Sequence, residues 1–248
     1  MKVRIDEEIE IDLHCPLDIS IPIRPTGNNL TAFYVEQPRF KPVMENGFIG
    51  SVEKGGNVNF NNVFFNPHGH GTHTECLGHI TKEFYSVNDC LQKYFFKAQL
   101  ITVHPTKKDN GDFVIEKSQI EGKLEKGRCE ALILRTLPNE KSKKEKQYSG
   151  TNPPHMDISL IPLLQEVGVK HLLVDLPSVD REEDGGKLAF HHAFWQVPDN
   201  PQLDKTITEL IYVDDSIKDG TYILNLQVAP FENDAAPSRP VLFLSDDL

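Results

Sequence analysis

The sequence predicts an α/β fold, a β-rich single domain spanning residues 1–248. Three observations carry that expectation. Apolar, β-prone runs of strand length recur along the chain, among them FKAQLITVHP, EALILRT, TYILNLQVAPF and VLFL. The stretch MDISLIPLLQEVGVK has apolar residues near helical spacing and feeds directly into HLLVDLPSVD, an αβ unit that covers part of the sheet with helix. No internal repeat and no clear domain boundary interrupts the 248 residues, a length that buries a sizeable core.

The elements follow in order. IEIDL and DISIPI read as short strands, and Pro16, Pro22 and Pro25 confine them to a sheet edge because proline brings no N–H to a ladder. Residues 26–62 are rich in Gly, Asn and Pro and read as a loop, with the turn-like GGNVNFNN leading to a strand at VFFN. After FKAQLITVHP, a hairpin signal at Asp109-Asn110-Gly111-Asp112 leads into FVIE. Ser118 and the following IEGKLE predict a short helix capped by a hydroxyl. EALILRT is a buried strand, and the lysine-rich LPNEKSKKEKQYSGTNPP a solvated surface loop. Asp157 or Ser159 caps the next helix and Gly168 ends it. Strands at ITELIYV and, beyond the Asp219-Gly220 turn, at TYILNLQVAPF and VLFL complete the chain.

Composition narrows the function. With 26 Lys+Arg against 37 Asp+Glu, the formal charge of -11 repels phosphate backbones, so nucleic acid is not an expected partner. The acidic MKVRIDEEIEIDLH lacks the apolar run of a secretory signal and no stretch reaches membrane-span length, so neither a membrane nor export is expected and the location reads as cytoplasmic. Cys15, Cys76, Cys90 and Cys129 form no CxxC pair and read as reduced thiols, Cys76 as a small apolar filler beside the site.

Chemistry concentrates in His68-Gly-His70-Gly-Thr-His73-Thr-Glu75 and His79. Four of the ten His residues fall in this short stretch, against about one half expected for random placement. Imidazoles with a carboxylate are a ligand mix for Zn²⁺, compatible with Mn²⁺. Gly69 and Gly71 let the backbone turn so that His68 and His73 face one point, and Thr72 bonds local backbone. HExxH and GxSxG are both absent. Ser178 and Asp180 in PSVD therefore read as a strand-end turn that orients site ligands.

The loop resembles the signature HxGTHxDxPxH of the cyclase-like metal hydrolases, the family of bacterial kynurenine formamidase and isatin hydrolase. Gly71, Thr72, His73 and His79 match in register, Glu75 replaces the aspartate, Leu77 replaces the proline, and the first histidine is displaced by one residue. His68 is preferred to His70 as that first histidine because it follows Asn66-Pro67 at the strand exit. DISIPI, EALILRT, LLVDLPSVD and FHHAFW resemble further family segments and extend the likeness over most of the chain. The resemblance implies a barrel-like central sheet with flanking helices, of the swivelling β/β/α type. It also implies metal ligation by His68, His73 and Glu75, with His191 and Glu209 completing that site or holding a second ion. His79 is implied as the general base that moves a proton from water to the leaving nitrogen.

The implied reaction is hydrolysis of an amide in a small molecule, an aryl formamide or a cyclic amide or imide, with Zn²⁺ as the first choice of metal and Mn²⁺ the second. The same centre would serve a lyase, a cyclase or a lactone or ester hydrolase, and a non-catalytic homologue would keep the ligands alone. Homodimers or homotetramers are implied by the family. Phe33, Tyr34, Phe40 and Trp195 are candidates for a substrate pocket and equally for the core.

Overall fold

The computed structural model describes residues 1–5, 9–124, 127 and 129–244. Among them the main sheet has nine strands: β1 (Leu17–Asp18), β2 (His73–Glu75), β3 (Phe95–Val103), β4 (Ala131–Thr136), β5 (His171–Val174), β6 (Thr206–Glu209), β7 (Gly220–Asn225), β8 (Ala235–Pro237) and β9 (Val241–Phe243). Their order is β8-β2-β6-β5-β4-β3-β7-β9-β1, and the sheet curls into a half-barrel. The central four, β6, β5, β4 and β3, are parallel. Antiparallel strands extend the sheet on both sides. This is the β-rich α/β architecture with a barrel-like sheet and flanking helices that was expected.

Strand alternation explains why the parallel strands read as unbroken apolar runs, since both faces are covered. Leu132, Leu134, Leu172 and Val174 enter one core with Leu160, Leu164, Phe190, Phe194 and Trp195. Ala131, Ile133 and Leu173, one residue out of phase, enter the opposite core with Ile211, Val213, Leu224 and Leu242. The first core is closed by α2 (Leu160–Val167) and α3 (Ala189–Trp195), while α1 (Val87–Cys90) is a single turn. Helix α2 buries Leu160, Ile161, Leu164 and Val167, one stripe of its surface. Asp157 rather than Ser159 serves its N-terminus, accepting the Ser159 N–H at 2.8 Å, and Gly168 ends it at φ +92°.

Four expectations shift. The IEGKLE helix is replaced by a 3₁₀ turn at Lys117–Gln119, because Gly122 takes φ +84° and breaks the helical path; Glu125 lies outside the described residues. Of DISIPI only Asp18 falls in a strand, β1, since beyond it Ile21 N–H turns to Thr72 Oγ1 at 2.8 Å. The regular strand in ITELIYV ends at Glu209, where Leu210 adopts φ +56° and the backbone bonds shift to Leu176 O and Val174 O. Residues 26–62 contain ribbons: Arg39–Pro42 pairs with Asn61–Phe64, and Met44–Glu45 with Phe48–Ile49 across Asn46-Gly47, both at positive φ. The 109–112 hairpin forms as expected, with Thr106 opposite Val114. Among the described residues no helix is long and apolar enough to cross a membrane.

Candidate metal centre

Strand β2 lies between β6 and β8, with Glu209 opposite His73 and Ala235 opposite Glu75. Because side chains alternate, His73, Glu75 and Glu209 share one face. Thr74 points to the other face, where its hydroxyl bonds Thr208 at 2.8 Å. The pairing register thus brings one imidazole and two carboxylates together in the protein interior, all three buried.

The preceding loop is folded around Asn66, whose side-chain oxygen accepts the N–H groups of His68 and Gly69 at 2.9 and 3.1 Å. His70 turns away from the centre. Its Nδ1 accepts the Asn66 N–H at 2.8 Å and its Nε2 donates to Glu36 O at 2.6 Å, so both nitrogens are spent on backbone. His68 instead reaches Glu75 Oε2 through Nδ1 at 3.0 Å. Gly71 is required here: it holds φ +100°, and a Cβ would come within 2.8 Å of Ile21 O. Thr72 fastens the loop to two neighbours, accepting from Ile21 N–H and donating to Leu210 O.

His191 enters from the first turn of α3. Asp180 accepts the Phe190 and His191 N–H groups at 2.8 and 3.0 Å and the His191 Nδ1–H at 2.6 Å, which aims Nε2 at Glu75, 3.1 Å away, and Glu209, 3.9 Å away. His79 packs its ring on His68 at 4.2 Å between centroids. Asp234, just before β8, bridges the two, 2.8 Å from His68 Nε2 and 3.4 Å from His79 Nδ1.

The electrostatics are those of a cation site. Burial opposes charge on His68, but Asp234 and Glu75 outweigh it and hold the imidazole up at about 10. Burial likewise opposes charge on His191, and Asp180 and Glu75 raise it to about 10. Burial disfavours the Glu75 carboxylate, yet His79, His191 and His68 hold its pKa well below the ordinary range. Asp234 is lowered against its own burial by His68 and His79.

Two buried atoms reveal what the arrangement lacks. His73 Nε2 lies 3.4 Å from Glu209 and Glu75 Oε2 lies 3.0 Å from His68, but neither has a partner in hydrogen-bond alignment. Ligand atoms of His73, Glu75 and Glu209 lie within 4.8 Å of one another, as do those of His68, Glu75 and His79. Nitrogen and carboxylate donors at these separations fit a divalent metal ion, in two adjacent groups that share Glu75. All six residues singled out in the sequence therefore converge. His68 and His73, expected around one ion, fall into different groups joined by Glu75, and His79 stands beside His68 at ligand distance.

The centre opens into a cleft of about 820 Å³, walled by His68, His79, His191 and Glu209 on one side and by Phe33, Val35 and Leu188 on another. Phe33 and Leu188 sit at φ +56° and +43°, conformations costing roughly 1–3 kcal/mol each that surrounding structure must hold. Tyr34 is exposed, Phe40 half-buried and Trp195 fully buried in the core beneath His191. Cys76 is buried beside the centre, as a filler would be. Sequence reasoning missed Asp234, one of two acids in the polar segment FEND with no motif around it, whereas Asp180 is the orienting residue read in PSVD.

Comparison with known proteins places this geometry in a family. Residues 11–181 match the Cyclase family model, a span that includes the histidine loop and PSVD. Kynurenine formamidase of Bacillus thuringiensis (strain Al Hakam) is 31% identical over 196 residues, covering 77% of this chain and 83% of that protein. Kynurenine formamidase of Bacillus anthracis is 28% identical over 230 residues, covering 91% and 96%. An isatin hydrolase bound to the product analogue thioisatinate shares the fold, with a TM-score of 0.67 at 15% identity over 93% of this chain and 92% of that one. The chain belongs to the Cyclase family.

Proposed function

We propose that this chain is a metal-dependent hydrolase of a non-peptide amide in a small molecule, an aryl formamide or a cyclic amide or imide. The observation that carries the reading is that two buried atoms, His73 Nε2 and Glu75 Oε2, lack a hydrogen-bond partner beside His68, His191 and Glu209, which line an 820 Å³ cleft. Membership of the Cyclase family and the relatedness to kynurenine formamidases support the amide class.

His73, Glu75, Glu209 and His191 would hold one ion, and His68 with the shared Glu75 a second, Zn²⁺ in preference and Mn²⁺ otherwise. A divalent ion bound there supplies Lewis acidity, polarising the scissile carbonyl and easing proton loss from water near neutrality. His79 serves as the general base. Its Nδ1 faces Asp234 at 3.4 Å, and its Nε2, with no hydrogen bond among the described residues, takes the proton from the attacking water and returns it to the leaving nitrogen. Asp234 fixes the ring for that exchange. Ser178 Oγ accepts the Asp180 N–H at 3.1 Å, which leaves the hydroxyl hydrogen free to orient a substrate carbonyl in the cleft.

The test is metal analysis of the purified chain together with turnover of aryl formamides, cyclic imides, lactams and lactones in ¹⁸O-labelled water. Hydrolysis incorporates the label with the mass of water. Turnover without it would make the chain a lyase or cyclase, and metal uptake without turnover of any class would overturn the enzymatic reading.

Association into dimers or tetramers is part of the proposal. It is supported by the ribbon arm at 39–64, which exposes Met44, Phe48, Phe60, Val63 and Phe64.

A further inference from the structure

The hairpin at 109–112 takes no part in the metal centre, yet its last residue is a buried carboxylate directed at the cleft wall. Asp112 is 4% exposed and receives the side-chain amides of Asn110 at 2.8 Å and Asn152 at 2.9 Å. It also receives Arg181 Nε, 3.1 and 3.0 Å from its two oxygens. Arg181 Nη1 donates to Glu183 O, and Nη2 has no partner among the described residues. The guanidinium is thus fixed through Nε and Nη1, with Nη2 left as its open donor. It lines the cleft, where it is the one Lys or Arg among the wall residues.

Of the three acids beside it, Glu182, Glu183 and Asp184, two have other work. Glu182 accepts the N–H groups of Gly150 and Asn152 at 2.6 and 3.2 Å. Asp184 accepts those of Gly186, Lys187 and Leu188 at 2.7, 3.1 and 2.6 Å. Both hold the rim loop in shape. A guanidinium immobilised by a buried acid and left with an open Nη2 at a substrate cleft is suited to an anionic oxygen, to which it offers a charge-assisted hydrogen bond from a fixed position.

We propose that Arg181 is the specificity-determining residue of this cleft, pairing with a substrate carboxylate that is not part of the scissile amide, with Asp112 as its positioning residue. This rests on the hydrolase reading above and narrows its substrates to anionic aryl amides.

Equilibrium binding to the metal-loaded enzyme separates the two claims, because it needs no turnover. The probes are 2-aminobenzoate and its neutral amide, 2-aminobenzamide. The wild type should bind the carboxylate at least about tenfold more tightly than the amide. Arg181→Gln should bring the ratio near one at unchanged metal content, and Arg181→Lys, which keeps the charge and the reach to Asp112, should restore part of it. In turnover, the KM for 2-formamidobenzoate should rise in Arg181→Gln while that for formanilide is unaffected. An unchanged carboxylate preference in Arg181→Gln, or in Arg181→Met should the glutamine variant not fold, overturns the proposal, because the anion would then be held elsewhere, including at the metal. If the preference depends on Arg181 but neither formamide is hydrolysed, the specificity claim stands and the amidase reading fails.

Discussion

Asp180 Oδ2 lies 2.6 Å from His191 Nδ1 while the same carboxylate receives two N–H groups at the start of α3, so one side chain anchors a helix and aims an imidazole. The two tasks predict separable effects. Asp180→Asn keeps a side-chain oxygen for the helix but surrenders the charge that fixes the ring and its tautomer. Metal affinity should fall on the order of 10–100-fold with little change in melting temperature. Asp180→Ala should also lower the melting temperature. Calorimetric zinc titration and thermal melts read the two, and an Asp180→Asn protein with wild-type zinc affinity would remove Asp180 from the centre.

His73 and His79 differ in exposure and surroundings: His73 is fully buried against Glu209, and His79 is at the cleft beside Asp234. His79→Ala should keep nearly all bound metal and lose roughly 10²–10⁴-fold in kcat, the usual worth of a general base. His73→Ala should lose metal and activity together. Elemental analysis beside kinetics decides, and equal metal loss in the two variants would make His79 a ligand.

The residues of this centre were legible because loop chemistry is local. Glycines, histidines and an acid within twelve positions announce a metal before any fold is known. Their division was not legible, because it follows from the register that sets Glu209 opposite His73, a contact between residues 136 positions apart in sequence. Asp234 and Arg181 reach the cleft the same way, one by the pairing of β8 with β2 and the other through a buried acid on a distant hairpin. Strand runs were read well where both faces are apolar, as in β4. They were overrun where a single backbone choice ends the regular strand, as at Leu210. In the 39–64 ribbons the Asn46-Gly47 turn signal was present, but the flanking residues are too exposed to show a buried alternation.

The exposed arm predicts a concentration-dependent assembly. Phe48 and Phe60 pack edge to face at 5.9 Å and Arg39 sits over Phe64 at 5.4 Å, so the ribbon is ordered by its own aromatic contacts while its apolar surface stays open. Light scattering should find a dimer or tetramer. Phe64→Asp, which puts a charge on that surface, should shift the chain toward monomer with its metal content intact. A monomeric wild type would remove the arm as an assembly surface.

His171, at the far end of β5 from the centre, is buried against Phe96 at 4.0 Å with Nδ1 on Thr206 Oγ1 at 2.9 Å. Burial lowers its pKa from 6.5 to about 4. Above pH 6.5 the ring is neutral in folded and unfolded chains alike, and its packing contributes fully. Between pH 6.5 and 4 the unfolded chain takes up a proton that the folded chain refuses, so stability falls with acidification by up to about 3 kcal/mol. His171→Gln removes the titration while keeping a hydrogen-bonding group near Thr206. Its deficit in melting temperature relative to wild type should therefore be largest at pH 7.5 and shrink by pH 5, whereas a deficit independent of pH would mean that the folded state accommodates the charged ring.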